Sequence, residues 1–461
     1  MKMIGEKCGV FGIYGKGLDV SRLTFFGLYA LQHRGQESSG IATADGEKIF
    51  CYKNSGLVSQ VFNEKIIENL KGLIAIGHNR YSTSSGTGVE HAQPVEVSDK
   101  SITLVHNGNL PNVKKLLEFL NNKKYILPKD NLSDSQIITE TLYCMMLEGV
   151  KIEKAIEDIF PLMIGSFSIL VMTKNKIIAL RDHYGIRPLS IAKLNGGYVF
   201  SSETCAFHPI GATFIREVNP GEMVIVDENG MRIKQITKGE QKLDIFEFVY
   251  FSRPDSTLLG QSVYEVRKRF GIQLAKENII EADVVIPIPE TAIPVAIGYA
   301  NASHIPFEMG LIKSRYIHRT FIEPEQHIRD QGVKLKLAPL KDIINGKRII
   351  IIDDSIVRGT TSKQIVKMLF ETGAKEVHFL VSSPPVKFPD FYGIDIPNQK
   401  ELLASKKTVE EMNTYLGSTS LHFLSYNGMI ISTNITESSF CTSCFTGKYP
   451  IDIGDKNFES I

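Results

Sequence analysis

The chain has 461 residues with 52 basic and 51 acidic side chains, and its formal net charge of +1 gives no general electrostatic case for binding nucleic acid or an anionic membrane. With 43% apolar and 22% charged residues it is ordinary for a globular protein and long enough for two or three domains. No apolar run reaches bilayer length, the first residues lack a signal-peptide core, and six cysteines fall short of a secreted disulfide scaffold, so a cytoplasmic protein with neither membrane nor nucleic-acid partner is expected.

In chain order, Cys8-Gly9-Val10-Phe11-Gly12-Ile13 heads a strand. A helical stretch near Leu23–Leu31 leads into His33-Arg34-Gly35-Gln36-Glu37-Ser38-Ser39-Gly40. Gly77-His78-Asn79-Arg80-Tyr81-Ser82-Thr83 ends one strand, and His106-Asn107-Gly108-Asn109-Leu110 ends another that starts near Ile102. Ser133-Asp134-Ser135 caps a helix running to Leu147. Thr173–Lys176 joins two strands, Ser168–Met172 and Ile177–Arg181, as a hairpin, and Tyr198–Ser201 and Met223–Val226 add further strands. This half predicts two antiparallel sheets between helices. The polar stretch Lys234–Asp244 reads as a linker. Beyond it the apolar strands Val284–Ile288, Arg348–Ile352 and Val377–Val381 alternate with helical segments, which predicts a largely parallel sheet. The division expected is therefore residues 8–233, a linker at 234–244, and 245–461.

The most informative string is Ile349-Ile350-Ile351-Ile352-Asp353-Asp354-Ser355-Ile356-Val357-Arg358-Gly359-Thr360-Thr361-Ser362. Four β-branched residues in a row suit a parallel strand covered on both faces. Ile365, Val366, Leu369 and Phe370 recur at helical spacing, and Gly373 ends that helix. A strand that empties into a helix N-terminus makes an anion site from free backbone N–H groups. Two carboxylates just ahead of it suit a sugar with vicinal hydroxyls, or a metal bridging to one. The plainer alternative is a strand–turn–helix with two solvated aspartates.

That string resembles the phosphoribosyl-pyrophosphate (PRPP) loop of type I phosphoribosyltransferases, while the strings at Cys8, His33, Gly77, His106 and Ser133 resemble a class II glutamine amidotransferase domain. Together, with Tyr250–Ser256, Pro287–Thr291, Phe391–Asp395 and Cys441–Gly447, they resemble the amidophosphoribosyltransferase family over about residues 8 to 450. The resemblance implies an α+β N-terminal-nucleophile hydrolase sandwich (αββα) followed by an α/β phosphoribosyltransferase domain. It implies that glutamine is hydrolysed and its ammonia channelled to PRPP, giving 5-phosphoribosylamine at the entry to purine synthesis. A sugar-phosphate aminating enzyme and a non-catalytic PRPP sensor are the rival readings. The first lacks reason for the PRPP loop, the second for the glutamine-site residues.

Residue by residue, the resemblance makes Cys8 the nucleophile with its own α-amine as base, so Met1–Lys7 would be a propeptide removed on maturation. Asn107 and Gly108 match the oxyanion-hole positions, Arg80 the partner of the glutamine carboxylate, and Asp134 that of its ammonium. Taken singly, Asp134 could be only a helix cap and Arg80 only an ion pair. Asp353 and Asp354 would hold the ribose hydroxyls and, with Thr291, place Mg2+, while Arg358, Gly359, Thr360, Thr361 and Ser362 would cradle the 5-phosphate. The basic stretch Lys313 to Lys336, with Arg315, Tyr316, Arg319, Arg329 and Lys334, would be a lid over PRPP; its plain alternative is a solvated loop. Family members are usually homo-oligomers, often tetramers, inhibited by AMP and GMP.

The chain departs from the family at one place. A propeptide-bearing branch holds a [4Fe–4S] cluster on four cysteines. Cys441 and Cys444 match two of them, but Asp244 and Asp390 stand at the others. Carboxylates are harder ligands than thiolates. Three readings stay open: a cluster on Asp₂Cys₂, another metal such as zinc, and a metal-free C-x-x-C. The lost thiolates weigh against an intact cluster and the propeptide weighs for one. On any reading the four side chains are expected to lie together.

Overall fold

The alternation in Gly9–Tyr14 sets the architecture of the first half. Val10 and Tyr14 point into one apolar layer while Phe11 and Ile13 point into another, as a strand's period of two dictates. The computed structural model describes residues 8–81, 88–129, 131–314, 336–393 and 398–452. Met1–Lys7, Ser82 and Thr83, the core of the expected lid, and Ile394 and Asp395 lie outside the described residues.

Thirteen strands build two sheets. They are β1 (Gly9–Tyr14), β2 (Ser38–Ala44), β3 (Ile49–Ser55), β4 (Ile74–Arg80), β5 (Val95–Glu96), β6 (Ile102–Asn112), β7 (Ile164–Thr173), β8 (Ile177–Arg181), β9 (Ser190–Leu194), β10 (Gly197–Ser201), β11 (Thr213–Glu217), β12 (Glu222–Asp227) and β13 (Gly230–Gln235). The first sheet runs β11-β9-β10-β1-β4-β2-β3 and the second β13-β12-β8-β7-β6-β5. Val10, Ile76, Val105, Leu170, Ala179 and Val224 fill the layer between them. The helix Val20–Ala30 covers the outer face of the first sheet, and the helices Asp134–Leu147 and Ile152–Ile159 cover that of the second. The result is the expected αββα sandwich.

The second half contains β14 (Leu243–Asp244), the hairpin β15 (Thr257–Leu258) and β16 (Gln261–Ser262), then β17 (Val284–Pro287), β18 (Leu311–Lys313), β19 (Leu337–Pro339), β20 (Arg348–Asp353), β21 (Glu376–Val381), β22 (Ser420–Phe423) and β23 (Phe440–Cys441). A parallel sheet runs β17-β20-β21-β22. Along β20, Ile350 and Ile352 enter one core with the helices Val263–Glu277 and Ile293–Ser303; Ile349 and Ile351 enter the other with Thr360–Glu371. The sheet is thus covered on both faces, as its unbroken isoleucine run predicts. Lys313 and Leu337 pair across β18 and β19, so the two ends of the expected lid meet at one place.

Two expectations need correction. Lys234 is not in a linker: it pairs with Met223 as the edge strand β13 of the second sheet. At the other end of that stretch Leu243 and Asp244 are buried and pair with Phe440 and Cys441. The polar look of 234–244 comes from an edge strand with one wet face, followed by residues that lie along the first half through Glu240 N–H to the His183 carbonyl and Lys242 N–H to that of Tyr184. The string at His106 also does not end its strand, because β6 continues to Asn112 with an irregularity between Asn109 and Asn112. No helix among the described residues is long and apolar enough to cross a membrane.

Candidate active site

Residues distant in sequence converge on the Cys8 thiol. It sits half-buried at the head of β1, 4.0 Å from the Tyr81 carbonyl and within the field of Arg80, Asp134 and Arg34. Burial pushes the thiol up from its ordinary range, and the Tyr81 contact and the two guanidinium groups only partly oppose that. At rest Cys8 is therefore a thiol, and attack needs a base to take its proton.

Arg80, at the end of β4, is buried and bonds Glu37 at 3.1 Å. Asn107, on β6, directs its amide at Ser202 Oγ (3.4 Å), and that hydroxyl also accepts from Val10 N–H at 3.0 Å, which ties β6 to β1. Gly108 has φ 151°, and a Cβ there would fall 2.1 Å from the Ser166 carbonyl oxygen, so only glycine fits so close to β7. Asp134 is the first residue of its helix, and Ser133 is the N-cap, closing a capping box with Gln136. Asp134 accepts from Leu110 N–H at 3.0 Å, so the carboxylate is pinned beside the Asn107–Gly108 stretch.

The second constellation gathers at the C-terminal end of β20. Asp354 accepts from Thr291 Oγ at 2.5 Å and from Ser355 Oγ at 2.8 Å, and its backbone N–H donates to Asp353 at 2.9 Å. Burial raises both carboxyls above their ordinary range, and repulsion from Asp354 adds to it at Asp353, while the Thr291 and Ser355 hydroxyls and Arg267 partly oppose it at Asp354. Gly359 is the N-cap of the helix Thr360–Glu371 and supplies no side-chain cap, and a helix N-terminus at the end of a strand is a place that suits an anion. Arg358 pairs with Glu401. The peptide before Glu290 is cis, and Glu290 lies 3.6 Å from Lys313 of β18.

Asp244, Asp390, Cys441 and Cys444 also lie in one neighbourhood. Asp244 pairs in register with Cys441, and the charges of both aspartates, together with burial, push both thiols up, Cys441 to about 12. Burial likewise raises Asp244, to about 6, against the opposing Arg187. Arg187 reaches Asp244 at 3.4 Å and Asp390 at 3.8 Å. Among the described residues no group of three or more His, Cys, Asp and Glu side chains converges as metal ligands would. Two buried carboxylates engaged by a guanidinium stand where a four-thiolate cluster needs two further thiolates, so this donor set does not fit one.

Several residues of the site escape sequence reasoning. Arg34 is fully buried; it donates to the Cys8 carbonyl at 3.2 Å, to Glu203 at 2.5 Å and, through two nitrogens, to Glu247 at 2.9 and 3.0 Å. It thus joins the Cys8 backbone to the second half. Glu203 further accepts from Arg253 N–H and Ser256 Oγ. Arg267 bonds the Phe248 and Ser252 carbonyls and adds a positive charge near Asp354, while its Nη1 makes no hydrogen bond among the described residues. The strings that hold Arg34 and Arg253 are visible in sequence; their joint role is not, because Glu247, the partner of Arg34, and the Ala30 carbonyl, a partner of Arg253, lie more than 200 residues away in the chain.

Residues 78–209 match the family model of a glutamine amidotransferase domain, and residues 268–383 match that of a phosphoribosyl transferase domain. An amidophosphoribosyltransferase of Synechocystis is 46% identical over 459 residues, covering 98% of this chain and 92% of its own. That of Bacillus subtilis is 43% identical over 461 residues, covering 98% and 96%. Among solved structures, glutamine PRPP amidotransferase from B. subtilis complexed with ADP and GMP superimposes with a TM-score of 0.90 at 42% identity, over 97% of this chain and 98% of that one.

Proposed function

From the premise that this chain belongs to the amidophosphoribosyltransferase family, we propose that its two constellations divide one reaction between them. The enzyme takes the amide nitrogen of glutamine and uses it to displace pyrophosphate from PRPP, giving 5-phosphoribosylamine, glutamate and pyrophosphate. The single observation that carries the assignment of roles is the convergence of Arg80 and Asp134 on the Cys8 thiol, with Asp134 bonded to Leu110 N–H just beyond Asn107 and Gly108.

In the first half Arg80 would hold the glutamine carboxylate and Asp134 its ammonium, setting the amide carbon before Cys8. The α-amine of Cys8, exposed once Met1–Lys7 is removed, takes the thiol proton. Sulfur attacks, and the oxygen that becomes negative is met by the Asn107 amide and the Gly108 N–H. Ammonia leaves, and water hydrolyses the thioester to glutamate. In the second half the hard oxygen donors Asp353, Asp354 and Thr291 suit magnesium, which takes few protein ligands and shares substrate phosphates. Bound there, magnesium would neutralise charge on the leaving pyrophosphate. The N-terminus of Thr360–Glu371 would bind the 5-phosphate, Asp353 and Asp354 would orient the ribose, and ammonia then attacks C1.

Replacement Cys8→Ala tests the division. Glutamine-dependent product formation is expected to vanish, and formation from added ammonia to stay within about twofold, because only the first constellation is touched. Normal glutamine use by Cys8→Ala would sink the assignment. Mass analysis of active protein should find Cys8 at the N-terminus; active protein that retained Lys7 would remove the α-amine from the mechanism.

A further inference from the structure

We propose that Asp390–Gly393, a segment of the second half, positions the oxyanion-binding stretch of the first half, with Gly393 and the carbonyls of Phe391 and Tyr392 as its contacts. The inference rests on Asn107 and Gly108 being the oxyanion donors and deepens that reading.

Strand β6 leaves its regular ladder with β7 just after Asn109, where the register shifts before Asn112. Sheet pairing therefore restrains the Asn107–Asn109 stretch from one side only, next to a disrupted part of the ladder. The second half supplies a restraint there. Asn109 Nδ2 donates to the Phe391 carbonyl at 2.8 Å. On the facing strand Ser166 Oγ donates to the Tyr392 carbonyl at 2.7 Å, and Ser166 is the residue whose own carbonyl lies against Gly108. That Tyr392 carbonyl also accepts from Arg187 Nε at 3.0 Å and Nη2 at 2.7 Å. Asp390 accepts from Tyr392 N–H at 2.8 Å, and the Tyr392 hydroxyl is fixed at both ends to the backbone of Ile451. The segment is thus braced before it touches β6.

Its last described residue then packs flat on the oxyanion glycine. A Cβ on Gly393 would lie 3.0 Å from the carbonyl carbon of Gly108, 3.1 Å from its oxygen and 3.3 Å from its Cα. Both are glycines in direct backbone contact, across a chain separation that local sequence does not link. Gly393 also has φ 98°, where a side chain is strained. A methyl group there must push Gly108 by a few tenths of an ångström. Oxyanion donors act over a window of roughly 2.7–3.1 Å, and a misplacement of about 1 Å is worth about a hundredfold in rate. Arg80, on β4, takes no part in this contact, and Asp134 meets the stretch only at Leu110, two residues beyond Gly108.

The test compares Gly393→Ala, Asn109→Ala and Asn107→Ala in the whole enzyme, with glutamine or ammonia as nitrogen donor. Gly393→Ala should lower kcat with glutamine by about tenfold or more, with KM for glutamine and ammonia-dependent activity within about twofold. Asn109→Ala should move the same way by less. Binding of glutamate γ-semialdehyde, whose thiohemiacetal with Cys8 needs the same donors, should weaken about as much as kcat falls; a merely structural role would not move the two together. If Gly393→Ala does not fold, Asn109→Ala decides. Unchanged kcat in Asn107→Ala would show that the oxyanion assignment fails. A large loss in Asn107→Ala with wild-type kcat in the other two would overturn the positioning role alone, as would equal loss of glutamine- and ammonia-dependent activity.

Discussion

At the scale of single residues, charge buried in the right company explains more than any motif. Arg34 holds Glu203 and Glu247 with no exposure to water. Burial alone would raise the Glu203 carboxyl, yet His33 and Arg34 hold it well below the ordinary carboxylate range. Arg34→Ala would leave two buried carboxylates short of their nearest cation, with His33 still beside Glu203 and Arg187 at 3.5 Å from Glu247, a loss of about 3–5 kcal/mol. Urea melts should show it, whereas Arg22→Ala, at an exposed pair with Glu64, should leave the midpoint nearly unchanged. His78 gives a pH test. Burial first, then the nearby Arg80 and His106, lower its folded pKa to about 3. Since an unfolded histidine titrates near about 6.5, the proton prefers the unfolded chain. The stability contribution is complete above that pH and falls by about 1.4 kcal/mol per pH unit on acidification toward pH 3. The urea midpoint of His78→Gln should therefore fall less than that of the parent protein between pH 7 and 5. Sequence makes Cys8 and Arg80 legible through their strings. It leaves His78 and Arg34 as letters inside those strings, because burial and distant partners set their roles.

Elements show where local pattern suffices and where it does not. The strand β20 and the helix Thr360–Glu371 are legible because a covered strand and an amphipathic helix carry their periods within a dozen residues. Their junction concentrates Asp353 and Asp354 at a strand end, so Asp353→Asn or Asp354→Asn should cripple PRPP use with either nitrogen donor. Glutamine hydrolysis without PRPP should persist; steady-state assays with each donor separate the two. The capping box at Ser133 is equally local, and Ser133→Ala should cost about 1 kcal/mol in a melt. By contrast β14 has two residues and a partner near Cys441, so its buried Leu243 and Asp244 look like the end of a polar connector. The Asn107–Asn109 run resembles a turn by composition, yet it is strand because β7 and the second half hold it.

For the whole molecule, both halves and their order are readable in sequence, since each carries its own core and its own strings. How they are joined is not. A pocket built for a ribose 5-phosphate can admit a purine monophosphate, so AMP or GMP should inhibit and added PRPP should relieve it. Inhibition assayed at rising PRPP checks this, and indifference to PRPP would rule out a shared site. The join itself runs through desolvated guanidinium–carboxylate contacts, Arg34 to Glu247 and Arg187 to Asp244 and Asp390, and through the backbone N–H of Arg253 to Glu203. Such a seam is not modular. A chain cut near residue 240 would separate the Asn107–Asn109 stretch from the segment that walls it and strand Arg34 without half of its counter-charge. A half taken from a relative that lacked one of these partners would leave a charge unmatched in a dry interface. Recombination between such enzymes is therefore expected to succeed only when Arg34, Arg187, Glu203, Glu247 and Gly393 travel as a set.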